Sequence, residues 1–158
     1  MVRCSMRGDG SLLIKCTHFR SLNINSLIQV YEQSLGDVTW HTVNAFSEDL
    51  QLFFRCNRAF VAQWVVHDAP VAAVRIEPYR DGYLITCLET APQCRRMGYA
   101  AALMCAVMED TPGVYYAHVD KRNRASLRLH EKLGFRVFLD HAVHVDGSVF
   151  TNSFTLKK

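Results

Sequence analysis

The chain has 158 residues, 49% of them apolar and 21% charged, with a formal charge of +3 and a pI of about 8.6. That length suits one domain, 1–158, with one respectable core, and the composition excludes a disordered or fibrous chain. The basic excess is small and scattered, with no block of five or more like charges, so no nucleic-acid partner is expected.

Six cysteines (Cys4, Cys16, Cys56, Cys87, Cys94 and Cys105) form no CxxC and no zinc-type spacing with histidine. Reduced, buried thiols in a cytoplasmic protein are expected. The opening stretch MVRCSMRGDGS carries no apolar leader core, and the longest apolar run, GYAAALMCAVM, is too short to span a bilayer, so no membrane partner is expected.

In chain order, LLIKCTHF (12–19) reads as a strand. NINSLIQVYEQSLG (23–36) reads as a helix, capped by Asn23 or Asn25 and ended by Gly36. TVNAFSEDLQLFFRC (42–56) reads as a second helix. Strands follow at 59–68, 71–79 and 83–90, with a turn at Ala69–Pro70 and a hairpin signal at Asp81–Gly82. A helix is predicted from Arg95 to Asp110 with an apolar stripe of Ala100, Leu103, Met104 and Val107. Next come a strand at 114–120, a helix at 123–134 and a final hairpin of 135–145 with 148–156 across Asp146–Gly147. This order predicts an α+β fold with a mixed, mostly antiparallel sheet, one parallel pairing at its centre and about four flanking helices.

Two stretches carry chemistry. RRMGYA (95–100) lies where a strand becomes a helix, and a helix start offers unpaired amides and partial positive charge to an anion such as phosphate. Gly98 removes a Cβ from the approach, Ala100 keeps the next contact small, and Arg95 and Arg96 add full charges. On the hexamer alone, a plain tight turn with solvated arginines is an equal reading. In NRASLRLHEKLGF, Asn123, Ser126 and His130 share one helix face at i, i+3 and i+7, beside an apolar stripe of Ala125, Leu129 and Leu133. Asn123 and Ser126 also suit plain capping, and His130 a surface imidazole.

TAPQCRRMGYA followed by NRASLRLHEKLGF resembles the GNAT superfamily of N-acetyltransferases. Pro92, Arg95, Gly98 and Ala100 match its first pattern. Asn123, Ser126, Leu129, Glu131, Lys132, Gly134 and Phe135 match its second, and His130 stands where the family usually has Tyr. The motifs lie within residues 83 to 137. The resemblance implies acetyl-coenzyme A as donor, its pyrophosphate on the amides of Arg95, Arg96, Met97, Gly98, Tyr99 and Ala100. It implies a pantetheine arm paired with the backbone of Leu88 and Thr90, strands splayed apart at that level, and a hydrogen bond from Asn123, with Ser126 alongside. It further implies direct attack by a primary amine of a small molecule, amino acid or peptide, in a monomer or homodimer, with Cys87 and Cys94 as bystanders.

A lysine-type amine has a pKa of about 10.4, so some group must take its proton. Where relatives carry a base, this chain has Leu84 and Thr86. Glu89 is the one carboxylate near the end of that strand, and period-2 alternation sets it opposite Leu84, Thr86, Leu88 and Thr90. The resemblance implies His130, in the place of the family's Tyr, as acid to the departing thiolate; Glu89 is the candidate base, with a base supplied by water or an acceptor of low pKa as alternatives. The alternative is an acyl-CoA-binding module or sensor with little turnover. Tyr31, Trp40, His41, Phe53 and Phe54 are candidates for an acceptor pocket or for the core. His141 and His144 face opposite sides of a strand at i and i+3, so no metal is expected.

Overall fold

The computed structural model describes residues 2–6 and 8–158; Met1 and Arg7, within the stretch read for a leader, lie outside the described residues. Eight strands make one sheet: β1 (Val2–Met6), β2 (Leu12–Cys16), β3 (Phe60–Val66), β4 (Ala69–Tyr79), β5 (Gly82–Thr90), β6 (Tyr115–Asp120), β7 (Arg136–Leu139) and β10 (Ser153–Lys157). Their order is β1-β2-β3-β4-β5-β6-β10-β7, and β8 (Ala142–Val143) with β9 (Val149–Phe150) forms a separate ribbon. All neighbours in the large sheet pair antiparallel except β5 and β6, which run parallel. The helices are α1 (Ile24–Leu35), α2 (Trp40–Phe53), α3 (Tyr99–Asp110) and α4 (Arg124–Lys132). The expected α+β class, mixed sheet and four helices are all present.

The two faces of the sheet are covered by different helices. Leu27, Val30 and Tyr31 of α1 and Phe46 and Leu50 of α2 pack on Val61 and Ala73. Leu103, Met104 and Val107 of α3 pack on Ala62, Val74, Ile76 and Ile85 from the other side. Coverage on both faces explains why β3 is buried over six consecutive residues, all apolar except Gln63. In α3 the buried stripe includes Ala106, and Ala100 is only partly covered, because it lies in the first turn at the open end of the sheet. Asn23 caps α1 by accepting from the Ser26 amide at 3.2 Å. Thr39 and Thr42 form a capping box that starts α2 two residues earlier than predicted.

Several expectations are corrected. The strand β1 escapes a hydrophobic pattern because all five of its side chains are exposed. The β3–β4 turn is His67–Asp68, not Ala69–Pro70. Both turn residues have positive φ, +49° and +62°, the handedness that a two-residue hairpin needs, and short polar side chains tolerate it. At the next hairpin Gly82 pairs with Tyr79, and a Cβ on Gly82 would lie 2.1 Å from the Val114 carbonyl oxygen. The final hairpin is divided: β10 inserts between β6 and β7, while β8–β9 forms its own ribbon. Thr155 Oγ1 donates to the His141 carbonyl at 2.7 Å, where the chain leaves the sheet. The thiols are free, but only Cys16 is buried; Cys4, Cys87 and Cys105 are exposed. Among the described residues no helix is long and apolar enough to cross a membrane.

Candidate active site

The parallel pairing of β5 with β6 spans only Tyr83–Ile85 against Tyr115–Ala117. Beyond it the strands separate, and cavities open along the unpaired edge of β5. One of about 630 Å³ is bordered by Leu88, Thr90, Arg95, Arg96, Asn123 and Ser126. An adjoining one of about 420 Å³ is bordered by Gly98, Tyr99 and Ala100. On the far side of Leu88 a cavity of about 560 Å³ reaches Glu89, Ser126 and His130 as well as the face carrying α1 and α2.

The loop after β5 corrects the predicted start of α3 at Arg95. Arg96 and Gly98 have φ of +63° and +85°, which no α-helix accommodates, so the helix begins at Tyr99 with Gly98 as its cap residue. Its first intrahelical bond runs from the Ala102 amide to the Gly98 carbonyl, leaving the amides of Tyr99, Ala100 and Ala101 ahead of the ladder, and no side chain caps them. A Cβ at Gly98 would meet nothing within 4 Å in the protein, so the space above the amides is open to a ligand. Arg95 and Arg96 are exposed beside it, and Arg95 Nε donates to the Thr90 carbonyl at 3.4 Å. Met97 points outward at 61% exposure and borders none of these cavities. The open amides, the glycine and the two guanidinium groups fit a diphosphate.

Across the gap, Asn123 Oδ1 accepts from the Ser126 amide at 3.1 Å and caps α4, leaving the side-chain NH2 for another acceptor. His130, one helical turn beyond Ser126, is 3% exposed. Its Nδ1 donates to the Ser126 carbonyl at 2.9 Å, with Ser126 Oγ 3.3 Å away, and its buried Nε2 has no partner among the described residues. A donor Nδ1 fixes the neutral tautomer with a lone pair on Nε2. Burial holds the imidazole's pKa below its ordinary value, although the Ser126 hydrogen bond pulls the other way. In this state His130 presents a bare lone pair on Nε2.

Glu89 also departs from expectation. Between Ala73 and Arg75 on β4, and between their partners Glu89 and Thr86 on β5, the register shifts by one extra residue on β5. Cys87, at φ +48°, is the bulge. It reverses the alternation, so Glu89 shares a face with Leu84 and Thr86 rather than opposing them, and it accepts a hydrogen bond from Ser34 Oγ of α1. Burial raises the Glu89 pKa, with Ser34, Arg95 and Arg75 opposing that shift.

The bulge is clamped by the fully buried Tyr31, whose hydroxyl donates to the Cys87 carbonyl at 2.8 Å. Tyr31→Phe leaves that carbonyl without its donor and is expected to cost about 1–3 kcal/mol in urea unfolding. It should also lower turnover, because the bulge sets where Glu89 stands.

The aromatic candidates do not border the cavity. Tyr31 packs on Phe46, Phe53 lies against the Arg75 guanidinium and Phe54 joins the core under α2. Trp40 stacks on His41 at the surface. The acceptor side is instead bordered by Glu77, His118, His144 and Asp146. His118 stacks on His144 at 5.0 Å, its Nε2 has no partner among the described residues, and burial holds its pKa down at about 4. Their meeting escaped the sequence reading, which weighed His144 only against His141, because they come from two separate strands and the turn between β8 and β9. The one signal was a pair of charges, Arg75 and Glu77, inside an otherwise apolar strand.

Comparisons with known proteins converge on one class. The sequence model of the Acetyltransferase (GNAT) family matches residues 24–135. Similar solved structures include the PaiA N-acetyltransferase of Thermoplasma acidophilum in complex with coenzyme A, at 11% identity, 92% of this chain, 98% of that chain and a TM-score of 0.63. The ribosomal-protein-S18-alanine N-acetyltransferase of Escherichia coli gives 15%, 99%, 92% and 0.62. Ard1 of Thermoplasma volcanium gives 20%, 85%, 89% and 0.59. No curated protein matches the sequence. The chain belongs to the GNAT family of acetyltransferases, which use acetyl-coenzyme A as donor.

Proposed function

We propose that this protein transfers the acetyl group of acetyl-coenzyme A to a primary amine by direct attack. The observation that supports the reading is a row of adjoining cavities along the gap between β5 and β6. The amide cradle at α3 borders one end of the row, and His130, whose buried Nε2 has no partner among the described residues, borders the cavity at the other. Bound there, acetyl-coenzyme A would supply a thioester whose C–S bond breaks as the amine's N–C bond forms. The amides of Tyr99, Ala100 and Ala101, with Arg95 and Arg96, hold its diphosphate. The free edge of β5 at Leu88 and Thr90 and the Asn123 side-chain amide hold the arm. Nε2 of His130 takes the proton from the acceptor nitrogen and, because burial makes its imidazolium more acidic than a free one, gives it up on the sulfur side. Glu89, fixed by Ser34, draws the cationic amine toward the gap and helps it shed its proton.

Two measurements test this. Coenzyme A at a hundredfold excess over its Kd should stabilise the fold by about 2.7 kcal/mol. For a chain of this size that raises Tm by about 5–10 °C. ATP and NAD should do much less, and a larger shift with either would contradict the donor assignment. Thiol release from acetyl-coenzyme A should then depend on an added amine across a panel of amines, amino acids and peptides. A coenzyme A shift with no thiol release from any amine would instead mark a binding module.

A further inference from the structure

The acceptor end of the cleft is unusual in its charge. The cavity of about 560 Å³ is bordered by Glu77, Glu89 and Asp146 and by no lysine or arginine, in a chain whose net charge is positive. Two of the three carboxylates are committed within the protein: Glu89 accepts from Ser34, and Asp146 Oδ1 accepts from the Ser148 amide at 2.9 Å. Glu77 is different. It is half-buried and has no hydrogen bond or ion pair among the described residues. Arg75 lies on the same face, but its guanidinium is bound to Asp49 and lies over the rings of Phe46 and Phe53. The aromatic stack of His118 and His144 lies on the same side, and His118 is neutral at pH 7.

A half-desolvated carboxylate with no partner costs free energy unless something else brings the positive charge. Burial raises the Glu77 pKa, and Arg75 and His144 lower it. The cavity is not merely acidic. His130, 3% exposed, borders it with an unpartnered Nε2, and its Nδ1 edge is turned back to its own helix. The cavity therefore holds both a proton acceptor, on His130, and an unneutralised carboxylate, on Glu77.

The spacing follows from the strands. Glu77 pairs with Leu84, and Glu89 pairs with Ala73, four residues from Glu77 along β4. At roughly 3.3 Å per residue their backbone positions are offset by about 13 Å along the strands, on one face. We infer that the acceptor is a linear amine carrying a second positive charge, bound by Glu77 while the reacting nitrogen lies between Glu89 and His130. This rests on the acetyl-transfer reading above and names its substrate class. A charge-assisted hydrogen bond in such a site is worth roughly 1.5–3 kcal/mol, or about ten- to a hundredfold in kcat/KM.

The test compares diaminooctane with octylamine, which has the same chain and one charge, by thiol release from acetyl-coenzyme A. The wild-type protein should prefer the diamine by tenfold or more, with the difference in KM. Glu77→Gln, which keeps the shape and removes the charge, should bring the diamine-to-octylamine ratio to about one, and circular dichroism should report an unchanged fold. Equal use of both amines by the wild type, or an unchanged preference in Glu77→Gln, overturns the inference and leaves the acetyl-transfer reading standing. A fall in kcat for both amines makes Glu77 part of proton transfer and also overturns it. Turnover of neither amine, by a protein that coenzyme A still stabilises, overturns the assigned acceptor class.

Discussion

Replacing Gly98 with valine is expected to abolish coenzyme A binding while leaving the far-ultraviolet circular dichroism of the protein unchanged. The residue is the cap of α3 at φ +85° and faces open space. A Cβ there meets no protein atom within 4 Å beyond its chain neighbours, so the main cost to the fold is the strain of a left-handed backbone, about 1–2 kcal/mol. That is a fraction of the 5–15 kcal/mol that holds an ordinary domain together. The ligand suffers more, because two methyl groups would occupy the space through which a diphosphate reaches the amides of Tyr99, Ala100 and Ala101. Isothermal calorimetry is the measurement. Gly98→Ala should weaken binding less than Gly98→Val, and undiminished affinity in the valine variant would move the donor site away from this loop.

His130→Phe should lower kcat by roughly a hundredfold, the usual worth of a positioned acid–base group, with coenzyme A affinity unchanged. Phenylalanine keeps the edge-to-face packing that His130 makes with Phe135 at 5.1 Å, so the loss is chemical rather than structural. The pH profile carries the diagnosis. The neutral imidazole is the working form, and burial lowers its pKa from the ordinary 6.5. Protonation removes the acceptor lone pair, so wild-type kcat should fall as pH drops through a value below 6.5 and be level above it. In His130→Phe that acidic limb should be missing. Wild-type rates in the phenylalanine variant from pH 6 to 9 would leave the proton to water.

The parts of this site that were legible in the sequence are those whose chemistry is local. A glycine at a helix cap, arginines beside it and an asparagine starting the next helix act through their own backbone neighbourhoods, so short motifs carry them. The position of Glu89 was not legible, because it depends on one extra residue at Cys87, which is held by a hydroxyl from α1 and signalled by no glycine. The tautomer of His130 depends likewise on a carbonyl one turn away. Glu77, His118 and His144 meet only after β4, β6 and the β8–β9 ribbon have been brought together. The strand β1 was invisible for a simpler reason: its side chains bury nothing.

The brief seam between β5 and β6 also has a consequence for assembly. Strands β2 to β5 join antiparallel neighbours, and the β3–β4 and β4–β5 connections are two-residue turns with little closure entropy. The seam joins that meander to the β6, β10 and β7 half through three residue pairs, with all of α3 intervening. Such long-separation contacts cost the most chain entropy and return the least hydrogen bonding. The cleft thus runs along the boundary that the chain has least intrinsic reason to close. A donor bridging the α3 cradle, the edge of β5 and the start of α4 would act as a mortar between the halves, and its departure would loosen the joint between them before either half.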